Sequence, residues 1–120
     1  MKLVTAKIVK DSSGYVSFTS KGHAGYRKKG KDIVCAAISV LTINTANSIM
    51  GLTDSKIDVK YDDGFISWKF EGPCDEKASL LMDAMVMGLK SIEEDYDDKY
   101  LTVLIEEAED DQVRSSVICS

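Results

Sequence analysis

Alternation of apolar and polar residues is cleanest in the middle of the chain, where Ile57, Val59 and Tyr61 interleave with Lys56, Asp58 and Lys60. Beyond Asp63-Gly64 the two-residue period resumes at Ile66, Trp68 and Phe70. Such a period places alternate side chains on opposite faces of a strand, and Asp-Gly readily forms a tight hairpin turn, so this segment predicts a β-hairpin. Residues 3–10 and 15–21 are rich in β-branched and aromatic side chains. They flank the turn-forming run Asp11-Ser12-Ser13-Gly14 and predict an earlier hairpin. After Gly72-Pro73 the period changes. From about residue 75 to residue 96, Ala78, Leu81, Met82, Met85, Leu89 and Ile92 fall on one face of a helix, and residues 100–105 read as a last strand.

Between the hairpins, residues 33–53 carry no charge over 21 positions, about the length that spans a hydrocarbon core. Ser39, Thr42, Asn44, Thr45, Asn47 and Ser48 would each need a partner in lipid, so the run reads as a helix buried against a sheet, not as a membrane span. Asp32 suits its N-cap and Gly51 its end, and Ile33, Ala36, Ala37, Val40, Leu41 with Ile43 or Asn44 offer the packing face. The order ββαββαβ predicts an α+β fold, a mainly antiparallel sheet with two helices packed on one face. An uncharged helix this long offers more apolar surface than one small sheet needs, which predicts a homodimer.

With 120 residues, 44% hydrophobic content and a single proline, the chain suits one domain over residues 1–106 and an acidic tail over 107–120. The first ten residues alternate charge and apolarity and lack the layout of a secretion signal, so the expected location is cytoplasmic. Cys35, Cys74 and Cys119 are an odd count without a close pair, which argues against a disulfide framework and a Cys-x-x-Cys metal motif. No metal or cofactor is expected. A net charge of −5 argues against general phosphate neutralisation and hence against direct nucleic-acid binding, although Lys21, Arg27, Lys28, Lys29 and Lys31 cluster locally.

That basic cluster surrounds the candidate chemistry. His23, the only histidine, stands twelve residues before Cys35, with Gly22, Ala24, Gly25, Tyr26 and Gly30 in a glycine-bearing loop suited to cover a substrate. If Asp32 caps the helix, Cys35 sits in the first turn, where unpaired N–H groups and the helix dipole favour a thiolate. Cysteines are commonly buried core residues, and Cys74 and Cys119 take that reading. Helix position, nearby cations and a histidine make Cys35 a candidate nucleophile and His23 its candidate base. Asp32 could instead orient the histidine, and Ser39, one turn after Cys35, could line the pocket. A phosphate-binding loop is a rival, but the segment lacks a Gly-Lys-Ser or Gly-Lys-Thr ending.

The stretch Gly22-His23-Ala24-Gly25, with Gly30 and then Asp32-Ile33-Val34-Cys35-Ala36, resembles the signature of the bacterial ribosomal-processing cysteine proteases. The resemblance continues through Ile49-Met50-Gly51-Leu52-Thr53, Tyr61-Asp62-Asp63 and Ile92-Glu93-Glu94-Asp95-Tyr96, reaching about residue 106. It implies removal of an N-terminal extension from the precursor of large-subunit ribosomal protein twenty-seven, with the cut after phenylalanine in a stretch like Leu-Gln-Phe-Phe. It further implies Cys35 as nucleophile, His23 as base, a homodimer, and a loop that orders over substrate. Tyr26-Arg27-Lys28-Lys29 is more basic than that family's loop. Two other classes stand beside this reading: a non-catalytic ribosome-associated module holding RNA or protein through the basic loop, and a small-molecule thiol hydrolase on the same dyad.

Overall fold

A computed structural model describes residues 4–22, 29–96 and 100–108, with residues 29–32 by backbone alone. Chain order is β1 (Val4–Asp11), β2 (Gly14–Lys21), α1 (Lys29–Leu52), β3 (Ile57–Asp62), β4 (Phe65–Phe70), α2 (Glu76–Asp95) and β5 (Leu101–Glu107). This is the ββαββαβ order of an α+β fold. Both hairpins form where the turn residues place them, with Gly14 and Gly64 at φ 121° and 66°. The strands make one sheet in the order β3-β4-β2-β1-β5. Three neighbouring pairs are antiparallel, and β5 lies parallel to β1, because α2 returns the chain across the helical face before β5 begins.

Sheet register explains the core. Ile8 pairs with Phe18, Phe18 with Trp68 and Trp68 with Val59, so one rung carries large apolar side chains across four strands. The Phe18 and Trp68 rings lie 4.7 Å apart at 39°, and both are almost wholly buried. Pairing skips Val16, since Val9 faces Ser17 and Lys10 faces Tyr15. That extra residue lets Tyr15 and Phe18, an odd number of positions apart, both turn inward.

Over this face α1 packs on β3 and β4, and α2 on β2 and β5. Where the helices cross, a Cβ on Gly88 would stand 2.7 Å from Leu41 Cδ2, so the glycine permits the close approach. Helix α2 buries Ala78, Met82, Met85 and Leu89, with Leu81 and Ile92 partly covered, as the helical period predicts. Asp75 caps it, its carboxylate accepting the Ala78 N–H at 2.8 Å.

Helix α1 departs from expectation in two respects. Its buried face carries Val34, Ile38, Thr42, Thr45, Ala46 and Ile49, while Ile33, Ala36, Ala37, Val40 and Asn44 from the expected packing face are exposed. With apolar residues around the whole circumference and no charges to mark the wet side, periodicity does not select a face. The threonines turn inward at low cost because each hydroxyl is satisfied within the helix, Thr42 by the Ile38 carbonyl at 2.9 Å and Thr45 by the Leu41 carbonyl at 2.7 Å. The helix also begins at Lys29, so Asp32 is its fourth residue and not its cap.

Candidate active site

A cleft of ≈ 200 Å³ opens between the start of α1 and one end of the sheet. On the helix side it is lined by Cys35, Ile38, Ser39 and Thr42; on the sheet side by Val4, Ser20, Ile66 and Tyr61, with residues 62–65 at the turn. Ser20, Ile66 and Tyr61 are successive partners across β2, β4 and β3, which puts them side by side on the inward face. Cys35 is a half-buried free thiol at this wall. It combines cover with access, as a nucleophile requires.

Cys35 is the seventh residue of α1 and lies in its second turn, not its first. The N–H groups that a helix start leaves unpaired belong to residues 29–32, between about 4 and 9 Å along the axis from Cys35. Dipole support for a thiolate falls off within the first turn, and those N–H groups stand too far back to act as oxyanion donors at Cys35. The expected first-turn placement is therefore corrected, for the same reason that Asp32 is not the cap: the helix extends further towards its N-terminus than the capping signal indicates.

His23, Ala24, Gly25 and Tyr26 lie outside the described residues, as does the side chain of Asp32. Gly22 is described. Its φ is 108°, and its N–H donates to the Gly64 carbonyl at 2.8 Å, which fastens the end of β2 to the β3–β4 turn. Gly22 lines the cleft together with Cys35, so the chain enters residue 23 from a fixed point beside the thiol. Gly30 is helical, not part of a loop. Ser39 reaches the cleft one turn after Cys35, as its spacing predicts.

Sequence reasoning passes over Ser20. The signal for it is its phase: two residues after Phe18 on the inward side of β2, it is a hydroxyl where the pattern calls for an apolar residue. Tyr61 is recognisable as a strand residue, and its position at the cleft follows only from β3 pairing with β4 at the sheet edge.

A second group of ionisable side chains lies away from the cleft. The Tyr15 hydroxyl donates to Asp83, with Lys10 Nζ 4.8 Å from the Tyr15 ring centre. Burial, then the Asp83 carboxylate, pushes the Tyr15 phenol above its ordinary range. Burial likewise pushes the Cys74 thiol up to about 11. Neither group is poised for chemistry near neutral pH. Among the described residues, no three His, Cys, Asp or Glu side chains converge as a metal-binding set.

Comparison with known proteins agrees with this geometry. The profile of the family described as "Cysteine protease Prp" matches residues 3–101. The chain is 32% identical over 99 residues to the ribosomal processing cysteine protease Prp of Staphylococcus aureus, covering 80% of this chain and 93% of that protein. It is 32% identical over 91 residues to the Bacillus subtilis protein of the same name, covering 71% and 81% respectively. Among solved structures, an essential ribosomal processing protease Prp from S. aureus in complex with a substrate peptide superposes with a TM-score of 0.79 at 27% identity. That superposition covers 87% of this chain and all of the other.

Proposed function

Since the chain belongs to the Prp family of cysteine proteases, we propose that it is the endopeptidase that removes the N-terminal extension of large-subunit ribosomal protein twenty-seven. The cut follows phenylalanine, Cys35 is the nucleophile and His23 the base. One observation carries this reading: the half-buried thiol of Cys35 lines an apolar cleft beside Gly22, the residue from which the chain passes to its only histidine.

In the proposed reaction His23 accepts the Cys35 S–H proton as the sulfur attacks the peptide carbonyl carbon. The C–N bond then breaks, and the same proton passes to the leaving amine, giving a thioester. Water attacks the thioester, giving one proton to His23. Departure of the sulfur releases the carboxylic acid and restores the thiol. Ile38, Ile66 and Val4 supply apolar contact for side chains next to the cut, and Ser39 lines the pocket. A peptide containing Leu-Gln-Phe-Phe tests the reading: wild type cleaves it after phenylalanine, and the Cys35→Ala protein does not. Equal cleavage by both would overturn it.

The exposed face of α1 supports a homodimer. Only a third of Ile33–Leu52 is buried within the fold, Ile33 and Val40 are 60% and 70% exposed, and the helix carries no charged residue after Asp32. A second copy covering this face removes apolar surface from water on both chains at once. A ribosomal protein precursor as substrate would be met in the cytoplasm, the location this reading carries with it.

A further inference from the structure

We propose that Ile43 determines specificity away from the cut, holding a branched aliphatic side chain three residues ahead of the phenylalanine that is cleaved. The inference rests on the peptidase reading and assigns a second subsite in the same cleft. Val4, Ile38 and Ile66 line that cleft but are already buried by the fold. Ile43 and Tyr61 are its two exposed large apolar residues, at 40% and 53%, the first on the helix side and the second on the sheet side. Cys35, Ser39 and Ile43 follow one another at single helical turns and share one face of α1. All three line the cleft, so its helix wall runs from a thiol past a hydroxyl to a hydrocarbon.

Two turns of helix set Ile43 about 12 Å from Cys35 along the axis. An extended peptide covers about 10 Å in three residues. A peptide that offers its carbonyl to Cys35 and lies along this wall therefore brings the third side chain before the cleaved residue up to Ile43. The polar groups of the lining are engaged or turned elsewhere. Thr42 donates its hydroxyl to the Ile38 carbonyl, and Asp62, next to inward-facing Tyr61 in β3, accepts the Asp63 N–H at 2.8 Å. Asp63 belongs to the turn, beside the Gly64–Gly22 tie. An aliphatic side chain at Ile43 removes apolar surface from water on both partners, whereas a charged one would lose water there without gaining a counter-charge from the isoleucine.

With the cut after its second phenylalanine, Leu-Gln-Phe-Phe puts leucine at this position. The test compares that peptide with one carrying alanine for the leucine, on the full chain. Wild type should favour leucine about tenfold in kcat/KM, and Ile43→Ala should bring that ratio down to about threefold or less. Alanine suits a helix and the site is partly exposed, so the variant should fold. Ile43→Val, which keeps a branched side chain, should hold the preference near that of wild type. Equal loss on both peptides overturns the proposal, because a change in fold, dimer or helix position slows both alike. A ratio left unchanged by Ile43→Ala overturns it as well. Calorimetric binding of the two peptides to Cys35→Ala, with and without Ile43→Ala, separates this subsite from the peptidase reading. A binding preference for leucine that falls with Ile43→Ala upholds the subsite even where wild type cleaves nothing. A preference indifferent to Ile43, or no binding, sinks it.

Discussion

Gly22 donates its backbone N–H to the Gly64 carbonyl at 2.8 Å, joining the end of β2 to the turn between β3 and β4 at the mouth of the Cys35 cleft. Both residues have positive φ, but of different kinds. At 66° Gly64 is in the left-handed helical region that asparagine tolerates, whereas at 108° Gly22 is in territory that side chains avoid. Gly22→Ala should therefore cost about 1–3 kcal/mol of stability and lower kcat/KM further by shifting the approach to His23. Gly64→Asn should cost less than about 1 kcal/mol. Urea unfolding beside peptide turnover checks both, and a Gly22→Ala protein of normal stability and full activity would show that the tie does not position the site.

The two described cysteines should differ in reactivity. With its thiol pushed up to about 11 by burial, Cys74 holds about one thiolate in a thousand at pH 8. Iodoacetamide at that pH should alkylate Cys35 well before Cys74, and Cys74→Ala should keep full activity. Peptide mapping by mass spectrometry reads the order of labelling directly.

At the start of α2 the Asp75 carboxylate accepts N–H groups from Ala78 at 2.8 Å and Asp54 at 3.1 Å, while the Asp75 N–H donates to Ser55 Oγ at 2.8 Å. The Ala78 hydrogen bond comes first among the causes that hold its carboxyl below the ordinary 3.8. A depressed carboxyl stabilises the fold above its unfolded pKa and loses that contribution as pH falls through the folded value. Asp75→Ala should lower the melting temperature by a few degrees at pH 7, and the gap to wild type should narrow below about pH 4. A gap that stays constant into acid would assign the effect to helix propensity instead of the charged cap.

Exposed Val40 provides a handle on the dimer. Val40→Asp should give a monomer by light scattering at micromolar concentration where wild type gives a dimer, with the far-UV circular dichroism unchanged because the residue touches no core. A monomeric wild type would remove the proposed role of the α1 face.

Much of the fold is legible in the sequence because two local signals coincide. Alternation at Ile57–Asp62 and Phe65–Phe70 agrees with the Asp63-Gly64 turn, and the helical stripe of α2 agrees with its Asp75 cap. What is not legible is non-local. That β5 pairs parallel with β1 depends on the path of α2 over the sheet, and no residue of Leu101–Glu107 signals it. Helix α1 illustrates the limit within one element: uniform apolarity conceals which face meets the sheet, and inward threonines satisfied by their own backbone read as polar. In the site, Ser39 follows from helical spacing after Cys35, and Cys35 stands out by its basic surroundings and the histidine, although its expected first-turn position does not hold; Ser20 and Tyr61 reach the cleft only through strand pairing.

Under the proposed function this chain cuts one bond in a ribosomal protein precursor through Cys35. Intact-mass spectrometry of the large-subunit ribosomal protein twenty-seven precursor, incubated with wild type and with Cys35→Ala, tests it most directly. The expected result is a single loss of mass corresponding to a cut after phenylalanine in the N-terminal extension, seen with wild type alone. An uncut precursor in both incubations, or the same cut in both, would contradict it.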